Sequence, residues 1–305
     1  MIQEFRANGK LLIAGEYTVL DGGLAFAIPT KLGQFLKVSY ENSEEKYLNW
    51  EARLSDMEVW FSAKFELPTL NVIEASNSIL AEKLVEIFQA IEKLNSSFFE
   101  NFHQSISCVT QLEFPKDWGL GSSSTLIYLL AKWAGVNEFE LSNLTFKTSG
   151  YDIASAGNDA PILYQLINLK PKIESVDFSP SFLDQLYFLY LNQKQDTQLG
   201  VAQSYKSLPK NDCLIDEISD LVMKIYKAKS LEEFERNIDQ HEELLSEFMN
   251  RPKVKDLYFS DYEGSVKSLG AWGGDFVLVT KRNDFQAYFE SKGYSILLPF
   301  RDLIL

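Results

Sequence analysis

Pro115-Lys116-Asp117-Trp118-Gly119-Leu120-Gly121-Ser122-Ser123-Ser124 is the stretch on which the reading of this chain turns, because of what stands on either side of it. Before it, Ser105–Phe114 alternates Ile106, Cys108, Thr110 and Leu112 on one face, the period of a strand, and Pro115 closes it. After it, the run TLIYLLAKWAG is apolar enough to be a packed helix, expected at about Ser123–Ala134. Two glycines allow backbone conformations closed to other residues, and the first amides of a helix have no acceptors within it. An anionic phosphate is the natural occupant of such a turn. The serine hydroxyls add donors for phosphate oxygens, and one can serve Mg²⁺ as a neutral oxygen ligand. From composition alone, a Gly/Ser turn that merely caps the helix is an equal reading, since the string is not the Walker pattern.

Three more segments stand in an order that adds meaning to this one. Asn8-Gly9-Lys10-Leu11-Leu12-Ile13-Ala14-Gly15-Glu16-Tyr17-Thr18-Val19-Leu20 lies near the N-terminus. Ser149-Gly150-Tyr151-Asp152-Ile153-Ala154-Ser155-Ala156 follows the glycine-rich stretch, and Lys267-Ser268-Leu269-Gly270-Ala271-Trp272-Gly273-Gly274-Asp275-Phe276 comes late in the chain. Taken singly, each has a plain structural explanation. Lys10 reads as a solvated charge entering a strand, Asp152 as a cap on a small-residue helix, and the late glycines as a turn between a helix and a strand.

Together the segments resemble the motifs of the GHMP kinases, nearest the mevalonate and phosphomevalonate kinase branch, over residues 8 to about 280. The stretch at 115–124 is similar to P-x-x-x-G-L-G-S-S-A, with Ser124 in place of Ala. The resemblance implies an ATP-dependent kinase that uses ATP and Mg²⁺ and transfers the γ-phosphate to a hydroxyl or phosphate of a small metabolite, a mevalonate- or phosphomevalonate-like acid first among them. It implies that Gly119, Leu120, Gly121, Ser122, Ser123 and Ser124 hold the triphosphate and that Ser123 contacts the metal. Lys10 would stabilise charge at the transferred group, and Asp152 would orient or deprotonate the acceptor. Glu16, Tyr17, Gly270, Ala271 and Gly273 would lie on the substrate side, although Glu16 and Tyr17 serve equally well as a turn-stabilising pair. The implied fold is α+β in two domains, a ribosomal protein S5 domain 2-like one at residues 1–168 and a ferredoxin-like one at 169–305.

The chain also departs from the pattern. Trp272 and Asp275 replace glycines of the late motif, and Asn158-Asp159 stands where Tyr-Gly-Gly is usual, which implies an acceptor different from mevalonate. No residue aligns with the glutamate that completes the family's Mg²⁺ site. Glu138 and Glu140 follow the preceding helix too closely, and Lys147 lies nearer the expected place. A GHMP-fold binding or regulatory protein with little catalysis therefore stands as the second reading, because fold does not fix function.

Bulk properties narrow the partners. With 29 Lys and Arg against 43 Asp and Glu, the net charge is −14, which opposes a phosphate-backbone footprint and argues against nucleic acid. The two cysteines, Cys108 and Cys213, form neither a disulfide framework nor a metal-binding pair. No apolar run reaches the ~18–20 residues of a membrane span, so a cytoplasmic protein without a membrane partner is expected. His103 and His241 are read as structural or solvated. Periodicity further predicts a helix from about Ile73 to Leu94, helices at about Ile215–Lys227, Leu231–Asn250 and Phe285–Lys292, and strands at Leu186–Leu191 and Asp275–Thr280.

Overall fold

The computed structural model describes residues 2–43, 45–192, 205, 207–270 and 275–305. The protein is α+β, with one large mixed sheet and a second, four-stranded sheet among the described residues. Backbone contacts divide it into two compact units. The first comprises Met1–Gly9, Leu32–Lys116 and Leu120–Gly157, and the second Lys10–Lys31, Asp117–Gly119 and Asn158–Leu305. Two long strands, β1 (Ile2–Ala14) and β2 (Ala25–Glu41), supply residues to both units.

In the first unit the later half of β2 pairs antiparallel with β6 (Ser105–Leu112), from Gln34 opposite Leu112 to Glu41 opposite Ser105. The sheet continues through β3 (Tyr47–Arg53), parallel to β6, then β4 (Val59–Glu66) and the edge strand β5 (Val72–Ala75). Helix α1 (Ser78–Leu94) starts at Asn77, whose side chain accepts from the Leu80 amide, and buries Leu84, Ile87, Phe88 and Ile91. Periodicity places this helix start at about 73. The structure instead puts Val72–Ala75 in an exposed edge strand, whose sheet pairing outweighs the apolar spacing of Ile73. Trp50, Phe65, Phe88 and Phe99 form the centre of the core, with Leu130 and Trp133 of α2 (Ser122–Ala134). Helices α3 (Glu138–Thr145) and α4 (Tyr151–Ala156) complete the unit, and both pack on α2.

In the second unit the first residues of β2 pair with β7 (Ile162–Ile167), which forms a hairpin with β8 (Lys170–Ser175). All six residues of β8 are exposed and Pro171 lies among them, as suits a strand at a sheet edge. The four-stranded sheet has β9 (Leu186–Tyr190) between β11 (Phe276–Thr280) and β12 (Leu297–Pro299), with β10 (Val266–Ser268) beyond β11. Helices α5 (Asp212–Lys227) and α6 (Leu231–Met249) pack on each other, capped by Asn211 and Ser230. Helices α7 (Val254–Tyr258), α8 (Phe285–Ser291) and α9 (Phe300–Leu303) are short. The spans of α5, α6, α8, β9 and β11 agree with the periodicity of the sequence to within about three residues.

Candidate active site

The glycine- and serine-rich stretch opens α2 in the first unit. Gly121 is the N-cap, in the left-handed region at φ 92°, and no side chain caps the helix. The first intrahelical bond runs from the Thr125 amide to the Gly121 carbonyl, which leaves the Ser122, Ser123 and Ser124 amides without acceptors in the helix. The three serines do different things. Ser124 is buried and donates its hydroxyl to Gly121 O at 2.8 Å, closing the turn on itself. Ser123 is exposed and Ser122 half-buried. Leu120 is fully buried, so its side chain belongs to the core and only its backbone is left to serve a ligand.

Two contacts fix this turn. Thr125 donates to Gln34 Oε1 at 2.6 Å, tying the first turn of α2 to β2. Glu113 Oε2 accepts from Arg6 and from the Gly33 amide, at 2.8 and 2.9 Å, which anchors the segment leading into Pro115. Asp152 lies in the first turn of α4, entered through Gly150 at φ 89°. Its Oδ1 accepts from Thr148 Oγ1 at 3.2 Å and from the next amide, Ile153, at 3.0 Å. Because α4 packs against α2, Asp152 and the serine turn lie on neighbouring helices of the first unit.

The second unit holds Lys10, Glu16, Tyr17 and Gly270. Lys10 is half-buried, and its ammonium donates to the Gly119 carbonyl at 3.2 Å. Gly119 has φ 64°, where a side chain is strained, and a Cβ there would fall 1.8 Å from Asp275 Oδ2 and have to displace that carboxylate. One residue of the glycine-rich stretch thereby meets the lysine of the N-terminal motif and the aspartate that replaces a glycine in the late motif. Around them Trp118 packs on Tyr190 and Phe276, and Tyr190 donates its hydroxyl to Asp117 Oδ2 at 3.0 Å. Burial first, then Asp117, pushes the Tyr190 phenol up to about 12.

Glu16 is buried, and its Oε1 accepts from Lys267 Nζ at 2.7 Å. Tyr17 is also buried, adopts φ 64° and stacks on Tyr205 at 5.8 Å. Gly270 has φ 68°, while Ala271 and Gly273 lie outside the described residues.

Sequence reasoning missed the partners of Glu16. Lys267 and Ser268 come from β10 and Glu242 from α6, with His241 beside it. A signal for His241 was present, because Phe234, Ile238, His241 and Leu245 repeat at four, three and four residues along the buried face of α6. A polar residue in an apolar stripe needs a partner, and the sequence does not show which.

The fit to Mg²⁺ and ATP divides into two parts. The amides at the start of α2, entered through the positive-φ Gly121, form a helix N-terminus of the kind that binds phosphate. Among the described residues no three His, Cys, Asp or Glu side chains cluster as a metal cage. Mg²⁺ keeps its waters and commonly rests on substrate phosphates, so an exposed hydroxyl such as that of Ser123 fits its demands better than a missing cage would imply. No helix among the described residues is long and apolar enough to cross a membrane.

No protein-family model and no curated protein sequence matches the chain. Solved structures do match it. Methanococcus jannaschii mevalonate kinase is similar over 98% of this chain and 96% of its own, at 19% identity and a TM-score of 0.68. Streptococcus pneumoniae phosphomevalonate kinase, in complex with phosphomevalonate and AMPPNP, is similar over 95% of each chain, at 16% identity and a TM-score of 0.67. Lactococcus lactis galactokinase, complexed with galactose, is similar over 96% of this chain and 89% of its own, at 14% identity and a TM-score of 0.64. With the motif order read from the sequence and these full-length likenesses, the chain has the fold of the GHMP kinases.

Proposed function

We propose that the protein is an ATP-dependent phosphotransferase that moves the γ-phosphate to a hydroxyl or phosphate of a small metabolite, with a mevalonate- or phosphomevalonate-like acid as the leading class of acceptor. The observation that carries the reading is the bond from Lys10 to Gly119 O, two residues before the N-cap of a helix whose first three amides are left without intrahelical acceptors. Backbone donors at a helix start suit phosphate, and a lysine bonded to the stretch that leads into that helix suits the charge of phosphoryl transfer.

In this reading the Gly119–Ser124 backbone binds and orients the triphosphate, and Lys10 stabilises negative charge that grows as the bridging oxygen leaves. Asp152 accepts the proton of the acceptor hydroxyl as its oxygen attacks phosphorus, with Thr148 Oγ1 holding the carboxylate. Ser123 would help hold Mg²⁺, which would supply charge neutralisation when bound. The relatives named above act on, or are held with, mevalonate, phosphomevalonate and galactose, which supports a small hydroxylated acceptor.

Two features of the sequence favour the second reading, a nucleotide-binding protein of low turnover: no residue aligns with the glutamate that completes the family's Mg²⁺ site, and Trp272 and Asp275 replace glycines of the late motif. Coupled measurement of ADP release against a panel of hydroxy acids and sugars, with and without Mg²⁺, separates the two. Acceptor-dependent, Mg²⁺-dependent ADP release is expected, and nucleotide binding with no turnover on any acceptor contradicts the kinase reading.

A further inference from the structure

Residues 117–119 lead into the serine turn, and each of them meets a group of the second unit, to which they belong. Tyr190 donates its hydroxyl to Asp117 Oδ2 at 3.0 Å, Trp118 packs edge-on against Phe276 at 5.5 Å, and Lys10 Nζ donates to Gly119 O at 3.2 Å. Asp275 fills the space that a side chain on Gly119 would take, because the position of a Cβ there lies 1.8 Å from its Oδ2 and 2.4 Å from its Cγ. The carboxylate therefore rests directly on the Gly119 backbone. Its own main chain holds it there, since the Asp275 carbonyl accepts the Leu191 amide at 2.8 Å, one residue before Phe276 pairs with Tyr190.

Asp275 stands where the motif that the late segment resembles has a glycine, so its charge at this place is particular to this chain. The charge also reaches the neighbouring ring: burial first, then Asp117 and last Asp275 raise the Tyr190 phenol. A carboxylate beside a stretch that takes phosphate opposes its ligand. Near a protein surface that repulsion is about fourfold stronger than in bulk water at the same distance, and it grows with the charge of the ligand. Mg²⁺ offsets two of the negative charges of a triphosphate, so one carboxylate penalises the free nucleotide more than its metal complex. A built-in repulsive group is a general route to telling one ligand from another.

We propose that Asp275 is a specificity-determining residue, whose carboxylate on Gly119 rejects metal-free nucleoside triphosphate and admits the Mg²⁺ complex. This rests on the reading of the Gly119–Ser124 stretch as nucleotide-binding. It differs from a packing role in one respect. Packing against Gly119 needs the shape of the side chain, which asparagine shares, whereas rejection needs the charge, which asparagine lacks.

Calorimetric titration of the full-length protein with AMPPNP, once in EDTA and once in excess Mg²⁺, measures this discrimination without turnover. The parent is expected to bind the Mg²⁺ form at least about tenfold more tightly than the metal-free one. Asp275→Asn is expected to bind the metal-free analogue about tenfold more tightly than the parent does, and to change the affinity for the Mg²⁺ form by less than about threefold. Asp275→Ala, which removes charge and shape together, is expected to agree with it. The expected result is a gain of binding, which a misfolded variant cannot produce. An unchanged ratio of the two affinities in both variants overturns the proposal, as does a loss of affinity for both forms, the mark of a packing role. Either result leaves the nucleotide reading standing, because the parent still binds the Mg²⁺ form. A parent that binds neither form overturns that reading, and the proposal with it.

Discussion

Lys267 and Glu16 meet at 2.7 Å with the lysine fully buried, and this contact joins the first and last of the sequence motifs inside the second unit. A buried lysine is held by its partners rather than by water, so its replacement exposes the cost of the two carboxylates it faces. Lys267→Met is expected to destabilise the protein by about 3–5 kcal/mol, measured by urea unfolding. A loss below about 1 kcal/mol would mean that the ion pair is dispensable.

The pH dependence of stability follows from Glu16. Burial first, offset by Lys267 and reinforced by Glu242, raises its carboxyl from 4.5 to about 7. The folded state holds this proton more tightly than the unfolded chain, so its contribution is full below 4.5 and is lost as pH rises through about 7. Glu16→Gln has no such proton. Relative to the parent, it is expected to gain about 3 kcal/mol between about pH 4 and about pH 8. His241, held well below its ordinary value by burial and by Lys267, works in the opposite direction. Insofar as its titration is alike in both proteins, it cancels in the difference. A stability difference that does not vary with pH would contradict the raised carboxyl.

How much of this was legible in the sequence differs between fold and site. The two long helices of the second unit followed from apolar spacing, because each buries one face and the spacing records that face, and the strands at Leu186–Tyr190 and Phe276–Thr280 followed from their apolar runs. Val72–Ala75 did not, because an exposed edge strand has no buried face to leave a pattern. The serine turn was readable from its place between a strand and a helix, but the division of labour among its serines was not. Only the fold shows that the Ser124 hydroxyl is turned back onto Gly121 O while Ser123 stays exposed. The Glu16 cluster was out of reach for another reason, since Glu16 is more than 200 residues from its partners and is brought to them by packing.

That division among the serines is itself testable. Ser123→Ala is expected to lower Mg²⁺-dependent turnover at least tenfold while leaving stability unchanged. Ser124→Ala removes a buried hydrogen bond and is expected to cost about 1 kcal/mol of stability with a smaller effect on turnover. Parallel kinetics and thermal unfolding of the two variants check this, and the reverse ranking would show that the roles have been exchanged.

The Thr125 hydroxyl offers a way to loosen the proposed phosphate-binding turn without touching its amides. Thr125→Val keeps the shape and leaves the buried Gln34 Oε1 without this donor, at a cost of about 1–3 kcal/mol. Nucleotide affinity is expected to fall several-fold with it, measured by calorimetry with ATP and Mg²⁺. Unchanged affinity in the destabilised protein would show that the first turn of α2 is held by other means.

Transfer of labelled γ-phosphate from ATP to a small-molecule acceptor, compared between the parent and Asp152→Ala, tests the phosphotransfer reading most directly. The parent is expected to label at least one hydroxy acid, phosphorylated acid or sugar, and the variant to lose about 10²-fold or more in rate while binding nucleotide with similar affinity. Transfer undiminished in Asp152→Ala, or none to any acceptor by a parent that binds ATP, would contradict it.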